Sequence, residues 1–285
     1  MSKFLLSAFA DEIADDLTLQ MDELEKYGIN HIEMRKVNGK NLVNYTLDEV
    51  RQIKLQLDKR GFKISAIGSP IGKVLITSDF GPQLELFRHT IEIAKIFETK
   101  YIRIFSFIIP EGEDFEKSSE EVIERWRLFL KAAEGSGIIL LHENEKGLYG
   151  DIPERCLRLL KTLDSPYARA IFDASNFVQC DVNTYPDAYE LLKDYIEYLQ
   201  IKDAKFSDHH VVPAGYGDGK VDEILAALHK SGFEGFLSLE PHLQIYKGFK
   251  DAEPNSSLNE LPDGGPKEFA IAYFALNKLL TGIDD

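Results

Sequence analysis

Residues 138–176 read IILLHENEKGLYGDIPERCLRLLKTLDSPYARAIFDASN. This stretch holds one complete strand–helix–strand unit. Its first run is apolar from Ile138 to Leu141 and turns polar at His142-Glu143-Asn144-Glu145. Cys156, Leu159, Leu160 and Leu163 then recur at helical spacing behind Asp151. A second β-rich run, ARAIF, ends in Asp173-Ala174-Ser175-Asn176. The unit predicts parallel strands joined by a crossover helix.

The same unit repeats in both directions. Other β-rich runs start near Phe4 (FLLSAF), His31 (HIEMR), Lys63 (KISAIGSP), Tyr101 (YIRIFSF), Ile196 (IEYLQIKD) and Gly235 (GFLSLEPH). Successive starts lie 27 to 39 residues apart, which leaves room for one helix and two loops. Leu17, Met21, Leu24 and Tyr27 form a helical stripe closed by Gly28. Thr46 and Glu49 form a capping box ahead of Val50, Ile53 and Leu57. Leu84, Phe87, Ile91 and Ala94 carry a third stripe. Ser118 and Glu121 are expected to cap a fourth, with Ile123, Trp126, Phe129 and Ala133 on its apolar face. Shorter helices are expected over 188–195 and 224–228, and Pro266 opens the last one.

Eight strand–helix units in one chain predict a single (β/α)8 barrel over residues 1–285. A doubly wound sheet usually opens on a glycine-rich turn, and AFADEIADD has no glycine. Residues 251–265 (DAEPNSSLNELPDGG) follow the eighth strand and are expected to form a lid or a subunit contact.

Composition narrows the function. The chain has 285 residues, and its net charge of −15 opposes binding to nucleic acid or anionic lipid. Cys156 and Cys180 have no zinc or redox spacing. No run is long enough for a signal peptide or a membrane span, so the cytoplasm is the default compartment.

Barrel enzymes place their chemistry where strands end. Four successive ends here are polar: Glu143 on strand five, Asp173 on six, Gln200-Ile201-Lys202-Asp203 on seven and Glu240-Pro241-His242 on eight. Carboxylates gathered at the rim of a core require a compensating cation. Glu143, Asp173, Glu240 and the Gln200 amide oxygen make an oxygen-rich cage that suits Mn²⁺ or Mg²⁺, with Co²⁺ or Zn²⁺ as alternatives. Gly215-Tyr216-Gly217-Asp218-Gly219 lacks phosphate-loop spacing and reads as a tight turn.

HENEKGLYGD, FDASNF, QIKDA with VVPAGYGDG, and SLEPH together resemble the xylose isomerase-like barrels. That superfamily holds sugar isomerases and epimerases, inosose dehydratases and endonuclease IV. The resemblance implies one divalent metal on Glu143, Asp173, a strand-seven residue and Glu240. Relatives usually carry HxKD on strand seven, and this chain has Gln200 in place of the histidine, leaving His209 or His210 as substitutes.

The resemblance also implies that Glu143 and Glu240 are the acid–base pair on either face of a polyhydroxylated substrate. Asn176, Lys202, His242, Arg103 and Lys73 are candidate substrate contacts, with Arg35 beside them. Glu145 shares strand parity with Glu143 and is an alternative ligand; His142 has the opposite parity and reads as core. Isomerisation or epimerisation is the leading expectation. A lyase, such as an inosose-type dehydratase or a 3-keto-glycoside-cleaving enzyme, uses the same proton abstraction. An endonuclease would need several histidines that strands two to four do not supply. A non-catalytic sugar-binding barrel, or a homo-oligomer, also fits the pattern.

Overall fold

The computed structural model describes residues 3–244 and 246–283. The outermost residues of the expected 1–285 domain, and Ile245, lie outside them. Eight parallel strands close a barrel: β1 (Lys3–Ala8), β2 (His31–Met34), β3 (Lys63–Gly68), β4 (Tyr101–Ile104), β5 (Ile139–Glu143), β6 (Ala168–Asp173), β7 (Ile196–Ile201) and β8 (Glu234–Leu239). Each strand pairs with its sequence neighbours, and β8 closes on β1 from Lys3↔Glu234 to Ala8↔Leu239. The expected (β/α)8 barrel is the fold observed.

The crossover helices are those that the apolar stripes mark. They include α1 (Leu17–Glu25), α2 (Leu47–Lys59), α3 (Gly81–Phe97), α4 (Phe115–Ala132), α5 (Pro153–Leu163), α6 (Tyr189–Leu192), α7 (Val221–Ser231) and α8 (Gly265–Ile283). The Thr46–Glu49 capping box forms: Glu49 Oε2 accepts from Thr46 N at 2.7 Å, and Thr46 Oγ1 accepts from Glu49 N. The fourth helix corrects its expected start. Asp114 is its cap, accepting from Glu116 N at 2.9 Å, and Ser118 lies inside the first turns, bonded back to Asp114 O. Trp126 is fully buried, as its place in the stripe implies, and donates to Phe105 O.

Strand parity sorts the barrel interior into layers. Tyr101, Leu141, Ile171 and Tyr198 form an apolar plug with Phe236. Above them lies a layer of hydroxyls, in which Ser7 Oγ bonds Ser65 Oγ at 2.6 Å and Ser65 Oγ bonds the Tyr198 hydroxyl at 2.9 Å. Two residues further along β7 and β8 come charged groups at the open end, Lys202 and Glu240. Tyr198–Gln200–Lys202 and Phe236–Ser238–Glu240 climb through all three layers. The plug therefore closes the floor, and the charged layer faces the loops.

His142, of opposite parity to Glu143, points outward into the helical shell. It packs edge-on to Trp126, with ring centroids 5.4 Å apart. Burial pulls its pKa down to about 3, so the folded protein holds it neutral. The unfolded chain binds the proton near pH 6.5, which removes stability as pH falls below that value. Between pH 7 and 4.5 this one ring should remove about 2–3 kcal/mol, and His142→Leu should flatten that part of the curve. Urea unfolding at a series of pH values checks it; equal slopes in both proteins would contradict the assignment.

The segment 251–265 does not line the cavity at the strand ends. It packs on the outer helices, near Tyr27, Tyr273 and Phe274, and is tied down where Tyr216 Oη donates to Glu253 at 2.6 Å. Among the described residues, no helix is long and apolar enough to cross a membrane.

Candidate active site

At the open end of the barrel lies a cavity of about 290 Å³. Its lining includes Arg35, Lys73, Arg103, Glu143, Glu145, Asn176, Lys202, Glu240 and His242. Carboxylate oxygens of Glu143, Asp173 and Glu240 lie within 4.8 Å of one another, and all three residues are buried. Their strands are not mutual neighbours: β5 and β6 are adjacent, and β7 separates β6 from β8. Closure of the barrel brings the three acids together.

Each acid is paired with a cationic side chain of the same chain. Arg103, fully buried, forms a very short ion pair with Glu143. Lys202 Nζ lies 2.6 Å from Asp173 Oδ2 and makes a very short contact with Glu240. Arg35 Nη1 donates to the other Glu240 oxygen at 3.1 Å. Arg35 is itself held by Asp11 at 2.8 Å and Glu12 at 3.2 Å, both from the first βα loop. Gly68 makes room for this convergence. A Cβ there would lie 3.1 Å from the Phe9 ring and 3.2 Å from Arg35 Cβ. Phe9 presents its face to both guanidinium groups, 4.7 and 5.7 Å from its centroid.

The environment separates the acids electrostatically. Burial alone would raise the Glu240 pKa, but Lys202, His242 and Arg35 outweigh it and hold the carboxyl well below its usual range. Burial dominates at Asp173, which rises to about 7 against the pull of Lys202. Burial likewise lifts Glu33 to about 7, with Arg103 and Ser238 opposing. Glu33 was not among the sequence candidates. It accepts from Gln200 Nε2 at 3.1 Å, and the same amide nitrogen lies 3.4 Å from Glu143 Oε2. Gln200 therefore sits in the site as expected but turns its N–H side to the carboxylates. Its own Oε1 is buried without a hydrogen-bond partner.

The remaining candidates occupy distinct places. Asn176 donates to Glu143 Oε1 at 3.2 Å and to Asn144 O, which fixes the Glu143 rotamer. Asn144, missed by the sequence reading, ties β5 to β6 through Asp173 N and O. Lys73 is half-exposed at the rim and pairs with Glu145 at 3.2 Å. His242 Nε2 lies 3.0 Å from Glu12. His209 and His210, on the strand-seven loop, do not line the cavity; His209 pairs with Asp181 and His210 with Asp208.

The GYGDG turn has a specific cause. Asp203 accepts backbone N–H groups from Ala204, Gly215, Gly217 and Gly219 at 2.8–3.1 Å. The chain wraps its amides around a buried carboxylate, an anion nest built for an internal side chain. A Cβ at 217 or 219 would collide with that carboxylate, which explains both glycines. Because Asp203 directly follows Lys202, this clamp also fixes the lysine at the centre of the site.

The donor set bears on metal binding. Three carboxylates within one ion's reach are hard oxygen donors that fit a divalent cation.

Comparison with known proteins agrees with this architecture. No protein of curated function matches the sequence. A D-tagatose 3-epimerase-like protein superposes with a TM-score of 0.74 at 18% identity, covering 99% of this chain and 98% of that one. The zinc-bound IOLI protein gives 0.74 at 16% identity, over 98% and 99% of the two chains. The probable 3-DHS dehydratase AsbF of Bacillus anthracis gives 0.70 at 18% identity, over 84% and 93%. Likeness at these identities establishes a shared fold. The family described as xylose isomerase-like TIM barrel matches residues 21–257. With most of its length covered by that match, the chain belongs to the xylose isomerase-like TIM barrel family.

Proposed function

We propose that this protein is an enzyme that moves a proton at the carbon beside a carbonyl of a small polyhydroxylated substrate, isomerising or epimerising a sugar. The observation that carries this reading is the convergence of Glu143 and Glu240, both buried and both cation-braced, at the mouth of a cavity of about 290 Å³. That volume suits a single sugar unit rather than a dinucleotide. The lining mixes carboxylates, ammonium, guanidinium and amide groups, which together can bind hydroxyls as donors or acceptors.

Glu143 and Glu240 rise from strands three places apart in the barrel, and both line the cavity. One removes the proton and the other returns it. Return to the same carbon on the opposite face is epimerisation; return to the neighbouring carbon is isomerisation. Asn176 holds Glu143 in place, and Arg35 and Lys202 hold Glu240. Arg103 and Lys202 offer fixed positive charge to a substrate oxygen that becomes negative as the proton leaves. A divalent ion held by Glu143, Asp173 and Glu240 would supply Lewis-acid stabilisation of that same developing charge.

A panel of ketoses, aldoses and keto-glycosides, followed by NMR, tests the proposal. A product with the composition of its substrate is expected for at least one class. Loss of water or of an alcohol would instead assign the lyase chemistry that shares the first step. No turnover across the panel, with or without Mn²⁺, would contradict an enzymatic role.

A further inference from the structure

The cation position among Glu143, Asp173 and Glu240 already has an occupant on this chain. We infer that the Lys202 ammonium is the resident cation of this cage and that a divalent ion enters only by displacing it. This deepens the metal-site part of the function proposed above and does not depend on which reaction follows.

Three observations carry it. First, Lys202 Nζ bridges two of the three acids, contacting Asp173 Oδ2 at 2.6 Å and Glu240 Oε2, with the lysine almost entirely buried. Second, every acid of the cage already has a cationic side chain in contact. Glu143 has Arg103, Asp173 has Lys202, and Glu240 has Lys202 and Arg35. A dication added beside an unmoved ammonium would meet like charge at close range in a poorly screened site. Third, strand seven has turned from ligand to donor. Gln200 directs an N–H at Glu143 and a second, better bond at Glu33. The Asp203 clamp then keeps the lysine where it is.

The consequence is a site whose electrophile toward a substrate oxygen is an ammonium on the chain. It also predicts an unusual order of metal affinities. Calorimetric titration with Mn²⁺ near neutral pH, paired with thermal melting with and without Mn²⁺, tests it on three full-length proteins. Wild type is expected to bind weakly and to gain no thermal stability from Mn²⁺. Lys202→Met removes the charge but keeps the length, and should bind one Mn²⁺ per chain about 100-fold more tightly, with a raised melting temperature in its presence. Gln200→His restores an imidazole but leaves Lys202, and should stay within a few-fold of wild type. Tight binding by Gln200→His overturns the inference, because the missing ligand would then be the whole cause. Equal affinity in wild type and Lys202→Met, or no binding in a folded Lys202→Met, overturns it too. Should Lys202→Met not fold, the Gln200→His titration decides alone. These readouts are independent of turnover, so a failed substrate panel and a failed displacement are separate results.

Discussion

Glu240→Gln should lower turnover by about 10³-fold while leaving the fold intact, which is within the range for loss of a general acid–base group. The glutamine keeps the shape and one oxygen but has no useful basicity. The protein should tolerate the change because each cation on Glu240 has a second partner. Lys202 retains Asp173 at 2.6 Å, and Arg35 retains Asp11 and Glu12. Removing one member of a buried pair with no alternative partner costs about 3–5 kcal/mol, so the shared pairing should reduce that cost. The expected kinetic signature is a fall in kcat with KM nearly unchanged, because the lost interaction belongs to the transition state. Steady-state kinetics with a melting curve on the same sample would check both halves. Wild-type turnover in Glu240→Gln would exclude Glu240 as an acid or base.

The largest expected effect on stability lies one residue beyond Lys202. Asp203→Ala leaves four backbone N–H groups of the strand-seven loop without their common acceptor. Each buried donor left unsatisfied costs about 1–3 kcal/mol, less where water enters. A total of about 3–5 kcal/mol is therefore reasonable, which corresponds to a melting temperature lower by on the order of 10 °C. Asp203→Asn keeps one acceptor oxygen and should lose roughly half as much. Differential scanning calorimetry of the two variants checks the order. A melting temperature for Asp203→Ala within 2 °C or so of wild type would show that the nest is not what holds the loop.

These expectations depend on features of unequal visibility in the sequence. The barrel was legible because apolar runs and helical stripes are local patterns, and each strand pairs with its sequence neighbours. Glu143, Asp173 and Glu240 were legible for a related reason: a carboxylate directly after an apolar run must stand at the rim. Their convergence within 4.8 Å then follows from barrel closure.

The counter-ions were less legible. Arg35 meets Glu240 across 205 residues, and Gln200 meets Glu33 across 167. Neither pairing follows from periodicity, because each depends on which side chains cross the barrel interior. Glu33 did leave a signal. In HIEMR it shares parity with Arg35, so an acid on the inward face of β2 could have been read from alternation alone. Asp11 and Glu12 left a weaker one, as acids in a loop with many. The role of Gln200 was half visible. Sequence placed it in the site as an oxygen donor, and the structure turns its nitrogen to Glu33 and Glu143. The glycine pattern at 215–219 was read as a turn, but its cause, a buried Asp203 collecting amides, required the fold.

Glu143 and Glu240, acting as base and acid, should exchange a substrate proton with solvent. The most direct measurement incubates the wild-type protein with a turned-over ketose in D₂O and follows the carbon-bound hydrogen beside the carbonyl by NMR. This signal should disappear in wild type and persist in both Glu143→Gln and Glu240→Gln. Product formed with no deuterium at that carbon, or undiminished exchange in both variants, would contradict it.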